Sequence, residues 1–314
     1  MKRIRREEAL VYALDGSLPP VLRVAAGEPF AVETEDASSG HLTAGDRSPT
    51  PENTPYVRYT PSKANPVGGP VYIEGVQAGA RVKVEILEIG LAPWGVAYNQ
   101  PPYSPLGDCA DWPDAREYFL VRVEQRGGEA IVSERLRWPL SPMVGTLACA
   151  PEWEVHSSGS GQGSWGGNLD VADYRPGATV TITAYHDGGL LFVGDVHGCQ
   201  GDGEYFGTAD ESRAEVVLRA FPADGDPLPA PRVETAERIV ALGIDKPLEA
   251  AAWSAARHLM DWLVEEFGYS LREAYLTVGL NPDFHFVVHQ MCAISDLRFV
   301  VGAALPRKYL REGA

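Results

Sequence analysis

Phe192-Val-Gly-Asp-Val-His-Gly-Cys-Gln-Gly-Asp-Gly-Glu204 packs three carboxylates (Asp195, Asp202, Glu204), one imidazole (His197), one amide (Gln200) and four glycines into thirteen residues. It follows the apolar run Leu190-Leu-Phe-Val193. This order predicts a β-strand that ends in a glycine-broken loop rich in oxygen and nitrogen ligands. Glycines let the backbone turn sharply, so that neighbouring side chains converge on one point. Asp195 and His197 stand two apart and share a face of an extended segment. Carboxylates with a neutral imidazole are a common ligand set for a zinc-like ion, and further carboxylates favour harder ions. The plain alternative is a tight turn with solvated acids at its tip. Charges this close to a buried strand end need partners, which favours a site.

Further strands are predicted on both sides. Val21-Leu-Arg-Val24 and Phe30-Ala-Val-Glu-Thr-Glu35 read as one hairpin. Val71-Tyr-Ile-Glu74 and the alternating Arg81–Ile89 read as a second. Thr181-Ile-Thr-Ala-Tyr-His-Asp-Gly-Gly-Leu-Leu191 reads as strand, tight turn, strand, and this third hairpin would aim the opening motif. Segments 118–124, 129–138, 178–184 and 214–220 add strands. The stretches 37–65 and 92–117 read as long loops, the second carrying Trp94, Tyr98, Tyr103 and Trp112 among prolines.

The C-terminal part changes period. Asp245-Lys-Pro247 reads as a helix start with a capping Asp. Ala256, Leu259, Met260, Leu263, Val264 and Phe267 follow with helical spacing to Gly268. Ser270-Leu-Arg-Glu273 is a capping box for a second helix to about Val278, and His258 on the first helix reads as a packed or exposed histidine. Strands over 285–288 and 297–301 close the chain. The expected fold is mainly β, sandwich- or barrel-like and α+β overall, with a C-terminal helical hairpin. It is taken as one domain over 1–314, with a possible subdivision into 1–150 and 151–314.

Composition bounds the function. The chain has 314 residues, 33 Gly and 25 Pro, which point to many turns and a β-rich architecture. A net charge of -16 argues against nucleic acid or an anionic membrane as partner, since both need basic patches. No run approaches the roughly 18 apolar residues of a membrane span. Four cysteines, Cys109, Cys149, Cys199 and Cys292, are widely spaced with no CxxC pair, so a reduced cytoplasmic setting fits best.

Other constellations are weaker alone. Ser164-Trp-Gly-Gly-Asn-Leu-Asp170 presents Asn168 and Asp170 on one face, but Gly-Asn-x-Asp is also an ordinary turn. Glu33-Thr-Glu-Asp36 ends a strand and reads as a solvated end. Ser157-Ser-Gly-Ser-Gly161 has no lysine near it for a Ser–Ser–Lys centre and reads as a flexible loop. Cys199 is a possible thiol nucleophile, but neighbouring acids would raise its pKa.

Taken in order, these motifs resemble the acetamidase/formamidase family. The matching segments are Phe30–Asp36, Asn65-Pro-Val-Gly-Gly-Pro-Val-Tyr-Ile-Glu-Gly75, Gly166-Gly-Asn-Leu-Asp170, Val193–Glu204, and Trp262-Leu-Val-Glu-Glu-Phe-Gly268 with the helix start after it. The resemblance implies a β-rich fold, hydrolysis of a short aliphatic amide to acid and ammonia, a divalent metal and a homo-oligomer. Many relatives carry His just before Gly-Gly-Asn, where this chain has Trp165, and the loop around Trp94 follows the family pattern only loosely. Trp165, Trp94 and Glu33 are therefore assigned to the substrate pocket.

The resulting expectation is a metal-dependent amidohydrolase. Asp170, Asp195 and His197 would hold the ion, zinc before calcium, with Asp36 offered as a fourth ligand. Glu204 would move the proton, and Asn168 or Gln200 would steady the oxyanion. Two alternatives stand beside it. One is a non-catalytic β module with structural calcium on Asp195, Asp202 and Glu204. The other is a hydrolase of a larger or cyclic amide, or of an ester.

Overall fold

The computed structural model describes residues 1–42, 54, 62–99, 119–205, 207–292 and 297–310. Strand dominates, as the turn-rich composition predicts. Among the described residues a nine-stranded and a twelve-stranded sheet form, and each takes strands from both halves of the chain. One hydrophobic core lies between them, with Val32, Val82 and Val84 from the first sheet and Val144, Leu147 and Phe192 from the second. Arg81–Leu91 alternates because one of its faces meets this core, whereas Met143–Ala148 and Leu191–His197 are buried throughout and read as near-continuous apolar runs.

Strand Arg238–Asp245 shows how the layers continue. Val240 and Leu242 face the inter-sheet core, while Ile239 and Ala241 face a second cluster. Alternation of side chains along a strand makes both contacts possible at once. The second cluster is built by helices α1 (Leu248–Phe267) and α2 (Leu271–Leu280), through Leu259, Trp262, Leu263 and Ala274. The predicted helical hairpin is therefore present. Gly268 caps α1 with a φ of 65°, a left-handed conformation that glycine takes at little cost. Ser270 and Glu273 form the capping box. Asp245 does not cap α1: it ends a strand, its carboxylate accepts from Lys246 N at 2.8 Å, and Pro247 occupies the N-cap. His258 Nδ1 lies 2.7 Å from Leu242 O, so this histidine is packed against the strand.

Strand positions were read better than strand partners. Leu22–Val24 runs parallel to Val67–Ile73, whereas Phe30–Thr34 lies in the other sheet between Lys2–Ile4 and Ala214–Ala223. Val67–Ile73 and Arg81–Leu91 are also in different sheets, and so are Thr179–Thr183 and Leu191–His197. None of the three expected hairpins forms. Local alternation marks a strand but not its partner, and here short turns carry the chain across the core to the opposite sheet. Trp94–Asn99 is a strand rather than part of a long loop, while Tyr103, Trp112 and most of 37–65 lie outside the described residues. Ser157–Gly161 is not a free loop either. Ser157 pairs with Ala13, and fully buried Ser158 donates from Oγ to Asn65 O at 2.5 Å.

Candidate active site

The strand Leu191–His197 runs through the opening motif instead of stopping before it. It lies between Met143–Ala148 and Glu211–Ser212. Asp195 and His197 therefore sit within a central strand, and their common face is buried. Asp195 has a φ of 56°, and Asp170 and Glu204 have φ values of 50° and 48°. Left-handed backbone is costly for these residues and persists where the surroundings impose it, often at functional sites.

Two groups of ligand atoms result, sharing His197. Asp170, Asp195 and His197 bring one ligand atom each within 4.8 Å of one another, and so do His197, Glu204 and Glu211. All five residues are buried. His197 Nε2 is 3.4 Å from Asp195 Oδ1 and 3.5 Å from Glu211 Oε2. His197 Nε2, Asp170 Oδ1 and Glu211 Oε2 have no hydrogen-bond partner. Buried polar atoms are rarely left so, and three of them on neighbouring residues indicate a missing ligand.

The surroundings fix which atoms point inward. Gln200 Nε2 donates to Asp170 O at 2.9 Å and to His289 O at 3.0 Å, so its Oε1, 2.8 Å from His197 Nδ1, must accept. Nδ1 therefore carries a proton, so in the neutral imidazole the lone pair is on Nε2, facing the cluster. Thr146 Oγ1 lies 3.1 Å from Asn168 Oδ1 and 3.4 Å from Asp195 Oδ2. Gln290 Nε2 donates to Asp170 Oδ2 at 2.5 Å. Gly145 faces Asp195 across the sheet, where a Cβ would lie 2.7 Å from both Asp170 Oδ1 and Asp195 Oδ2. Only glycine leaves that cradle open.

Electrostatics agree with the geometry. Burial, then the Asp195 charge, pushes the Asp170 carboxyl up to about 7. Burial, then Asp170, holds Glu204 well above the usual carboxylate range. Burial opposes the charged form of His197, but Glu211 and Asp195 outweigh it and hold the imidazole well above its ordinary value. Ionised, these four carboxyl groups around one imidazole would put excess negative charge out of water; protons relieve it in the cation-free chain, and a divalent cation would relieve it by displacing them. The residues thus fit a metal on three grounds: orphaned atoms, an open glycine cradle and a hard-and-borderline donor set.

The other sequence candidates lie differently. Asp36 belongs to neither ligand group; its Oδ1 accepts from Ser38 N at 2.9 Å and Gly40 N at 3.1 Å, closing a turn. Gln200 has both amide hydrogens engaged and none for a substrate oxygen. Asn168 commits one amide hydrogen to Gly159 O at 2.9 Å. Trp165 is buried in the main core and stacks on His156 with centroids 5.3 Å apart. Trp94 packs in a small cluster with Val96 and Tyr98, under the Arg122 guanidinium at 5.1 Å. Glu33 pairs with Arg3 at 3.1 Å. Asp202 is exposed and belongs to neither ligand group. Burial pushes the Cys199 thiol up to about 11, which disfavours a thiolate nucleophile. Sequence reading missed Glu211, Gly145 and Gln290. Of these only Glu211 carried a signal, the acidic pair Asp210-Glu211 just before a predicted strand.

The fold and this site define a class. The acetamidase/formamidase family model matches residues 160–221, the segment that carries Asn168, Asp170, Asp195, His197, Gln200, Glu204 and Glu211. An acetamidase from Yersinia enterocolitica is 29% identical with a TM-score of 0.88, covering 99% of this chain and 93% of that one. An acetamidase from Bacillus halodurans is 26% identical with a TM-score of 0.85, covering 98% of both chains. A predicted acetamidase/formamidase from Thermoanaerobacter tengcongensis, 24% identical, shares the fold with a TM-score of 0.86 over 98% of this chain and 96% of that one. No curated protein matches the chain. The resemblance to the acetamidase/formamidase family thus holds in the sequence of the central motifs and in the fold of nearly the whole chain.

Proposed function

We propose that this chain hydrolyses a short aliphatic amide of the formamide or acetamide kind to carboxylic acid and ammonia, at a divalent metal centre. The family match and the acetamidase-like fold support linear-amide hydrolysis as the reaction class. The observation that carries the metal is the meeting of unpartnered buried atoms, His197 Nε2 and Asp170 Oδ1, beside the Asp195 carboxylate.

Asp170, Asp195 and His197 would hold the ion, with Glu211 Oε2 3.5 Å from His197 Nε2. A bound divalent cation polarises a carbonyl and lowers the pKa of bound water. One imidazole among carboxylates suits zinc first, and calcium second because of the added carboxylates. Glu204 would act in its carboxylate form, taking a proton from the attacking water and returning it to the leaving nitrogen, and its raised proton affinity suits both steps. Asn168 has a second amide hydrogen to offer the carbonyl oxygen as charge develops on it. Gln200 holds the His197 tautomer and is a positioning residue.

Two further expectations belong to this reading. Leu271, Tyr275, Leu276 and Leu280 leave an apolar strip exposed on α2, which supports a homo-oligomer. The wide spacing of the four cysteines, with no CxxC pair, supports a reducing, cytoplasmic setting. No helix among the described residues is long and apolar enough to cross a membrane.

The test is ammonia release from formamide, acetamide and propionamide before and after chelation, with zinc or calcium added back. Release that stops with chelator and returns with one metal is the expected result. Undiminished release from a metal-free protein would overturn the metal reading, and no release from any of the three by metal-loaded protein would overturn the substrate class.

A further inference from the structure

The strand His285–Gln290 is far from the ligand motifs in sequence and outside the segment that matches the family model. Its C-terminal end nevertheless touches the segments that carry Asp170, Gln200 and Glu204. Gly203 N donates to Val288 O at 2.7 Å, Met291 N donates to Gly203 O at 2.9 Å, and Gln200 Nε2 donates to His289 O. Gln290 is fully buried and reaches the cluster directly.

The polar atoms of Gln290 are all accounted for. Nε2 donates to Asp170 Oδ2 at 2.5 Å and lies 3.5 Å from Asn168 O, while Oε1 accepts from Gln162 Nε2 at 3.3 Å. Gln162 is anchored in turn, since Nε2 also lies near Asn168 O at 3.0 Å and Arg298 O at 3.2 Å, and Oε1 accepts from Arg298 N at 2.8 Å. The direction of the relay follows from these partners. Arg298 N can only donate, so Gln162 Oε1 accepts. Gln162 Nε2 therefore faces Gln290 Oε1, and Gln290 presents its N–H to Asp170.

We infer that Gln290 is a positioning residue that occupies Asp170 Oδ2 and leaves Oδ1, the unpartnered oxygen, as the one presented to a cation; this rests on the metal reading proposed above. A donor on one carboxylate oxygen fixes the plane of the group and turns the other oxygen inward. Partners of this kind behind a metal ligand set affinity and geometry without touching the ion.

The experiment compares cobalt(II) binding by the full chain with its Gln290→Met and Gln162→Met variants, following the visible absorption of the bound ion and its affinity by titration. Met keeps an unbranched side chain of similar size and removes the donor. Gln290→Met is expected to lose roughly 10- to 100-fold in affinity and to change the absorption bands, with the melting temperature of the metal-free protein near that of the wild type. Wild-type affinity and spectrum in this variant would overturn the inference while leaving the metal reading intact. If Gln290→Met does not fold, Gln162→Met is decisive: freeing the Gln290 amide to rotate should weaken cobalt several-fold, and unchanged binding would again overturn the inference. Absence of binding by the wild type would instead overturn the metal reading, and this inference with it.

Discussion

Gln200 and His197 form a single unit: Gln200 Oε1 lies 2.8 Å from His197 Nδ1, and both hydrogens of the Gln200 amide are held by the backbone carbonyls of Asp170 and His289. The amide cannot flip without losing those two bonds, so the imidazole cannot change tautomer without losing the third. Gln200→Leu is expected to weaken metal binding by roughly 10- to 100-fold and to lower turnover in parallel. Isothermal titration with zinc measures the first, and equal affinity in the variant would show that the tautomer is set elsewhere.

Gly145 should not tolerate even a methyl group. A Cβ would sit 2.7 Å from the nearest oxygens of Asp170 and Asp195. The Gly145→Ala chain is expected to lose about 1–3 kcal/mol of stability through overpacking and to lose its cation site. Thermal melts with and without zinc separate the two effects: the wild type gains from the metal, and the variant should gain little.

Glu204→Gln keeps the size of the side chain and removes its ability to carry a proton. Turnover is expected to fall by roughly 10²- to 10⁴-fold, with metal content preserved, as for loss of a general base. Metal analysis beside the ammonia assay decides it. Wild-type rates would remove Glu204 from the mechanism, and loss of metal as well as rate would make it a ligand instead.

The cation-free protein should respond to pH in a set direction. Asp170 is raised from 3.8 to about 7 by burial and then by Asp195, so the folded chain holds a proton that the unfolded chain has released. Stability from that difference is present below the unfolded value and lost as pH rises through the folded one. Glu204 and His197 are also shifted upward and act in the same sense. His289, lowered from 6.5 to about 4 by burial, titrates below this range. The chelated protein should therefore melt lower at about pH 8.5 than at about pH 6.5, and Asp170→Asn should flatten the slope. Saturating zinc should protect more at the higher pH, because its ligands must be deprotonated to bind. A chelated wild type with no such slope would mean that Asp170 is not buried as a carboxyl group without a cation.

Much of this site was legible along the chain. Asp195, His197, Gln200 and Glu204 lie within ten residues, and glycine spacing marked them as a place where side chains converge. Asp170 belonged to a second short motif whose meaning depended on the first. Asp36 was added as a fourth ligand although its motif alone read as a solvated strand end, because an acid there has the same local appearance whether it binds an ion or closes a turn. Here its Oδ1 accepts from Ser38 N and Gly40 N within a turn. Gln290 had no signal, since a glutamine in a C-terminal strand is ordinary until its neighbour across the core is known.

The sequence by itself determined that the chain is mainly β, where most strands and both helices lie, and which thirteen-residue stretch is densest in candidate ligands. These are local properties: side-chain period, capping and glycine content act over a few residues. Only the tertiary structure decided which strands pair, which acids meet His197, and which residues stand behind them. Pairing is set by burial on both faces of each sheet, a demand that no short stretch of chain contains. Three hairpins that looked natural from alternation gave way to crossings between sheets, because two layers sharing one core bury more apolar surface than three hairpins folded on themselves.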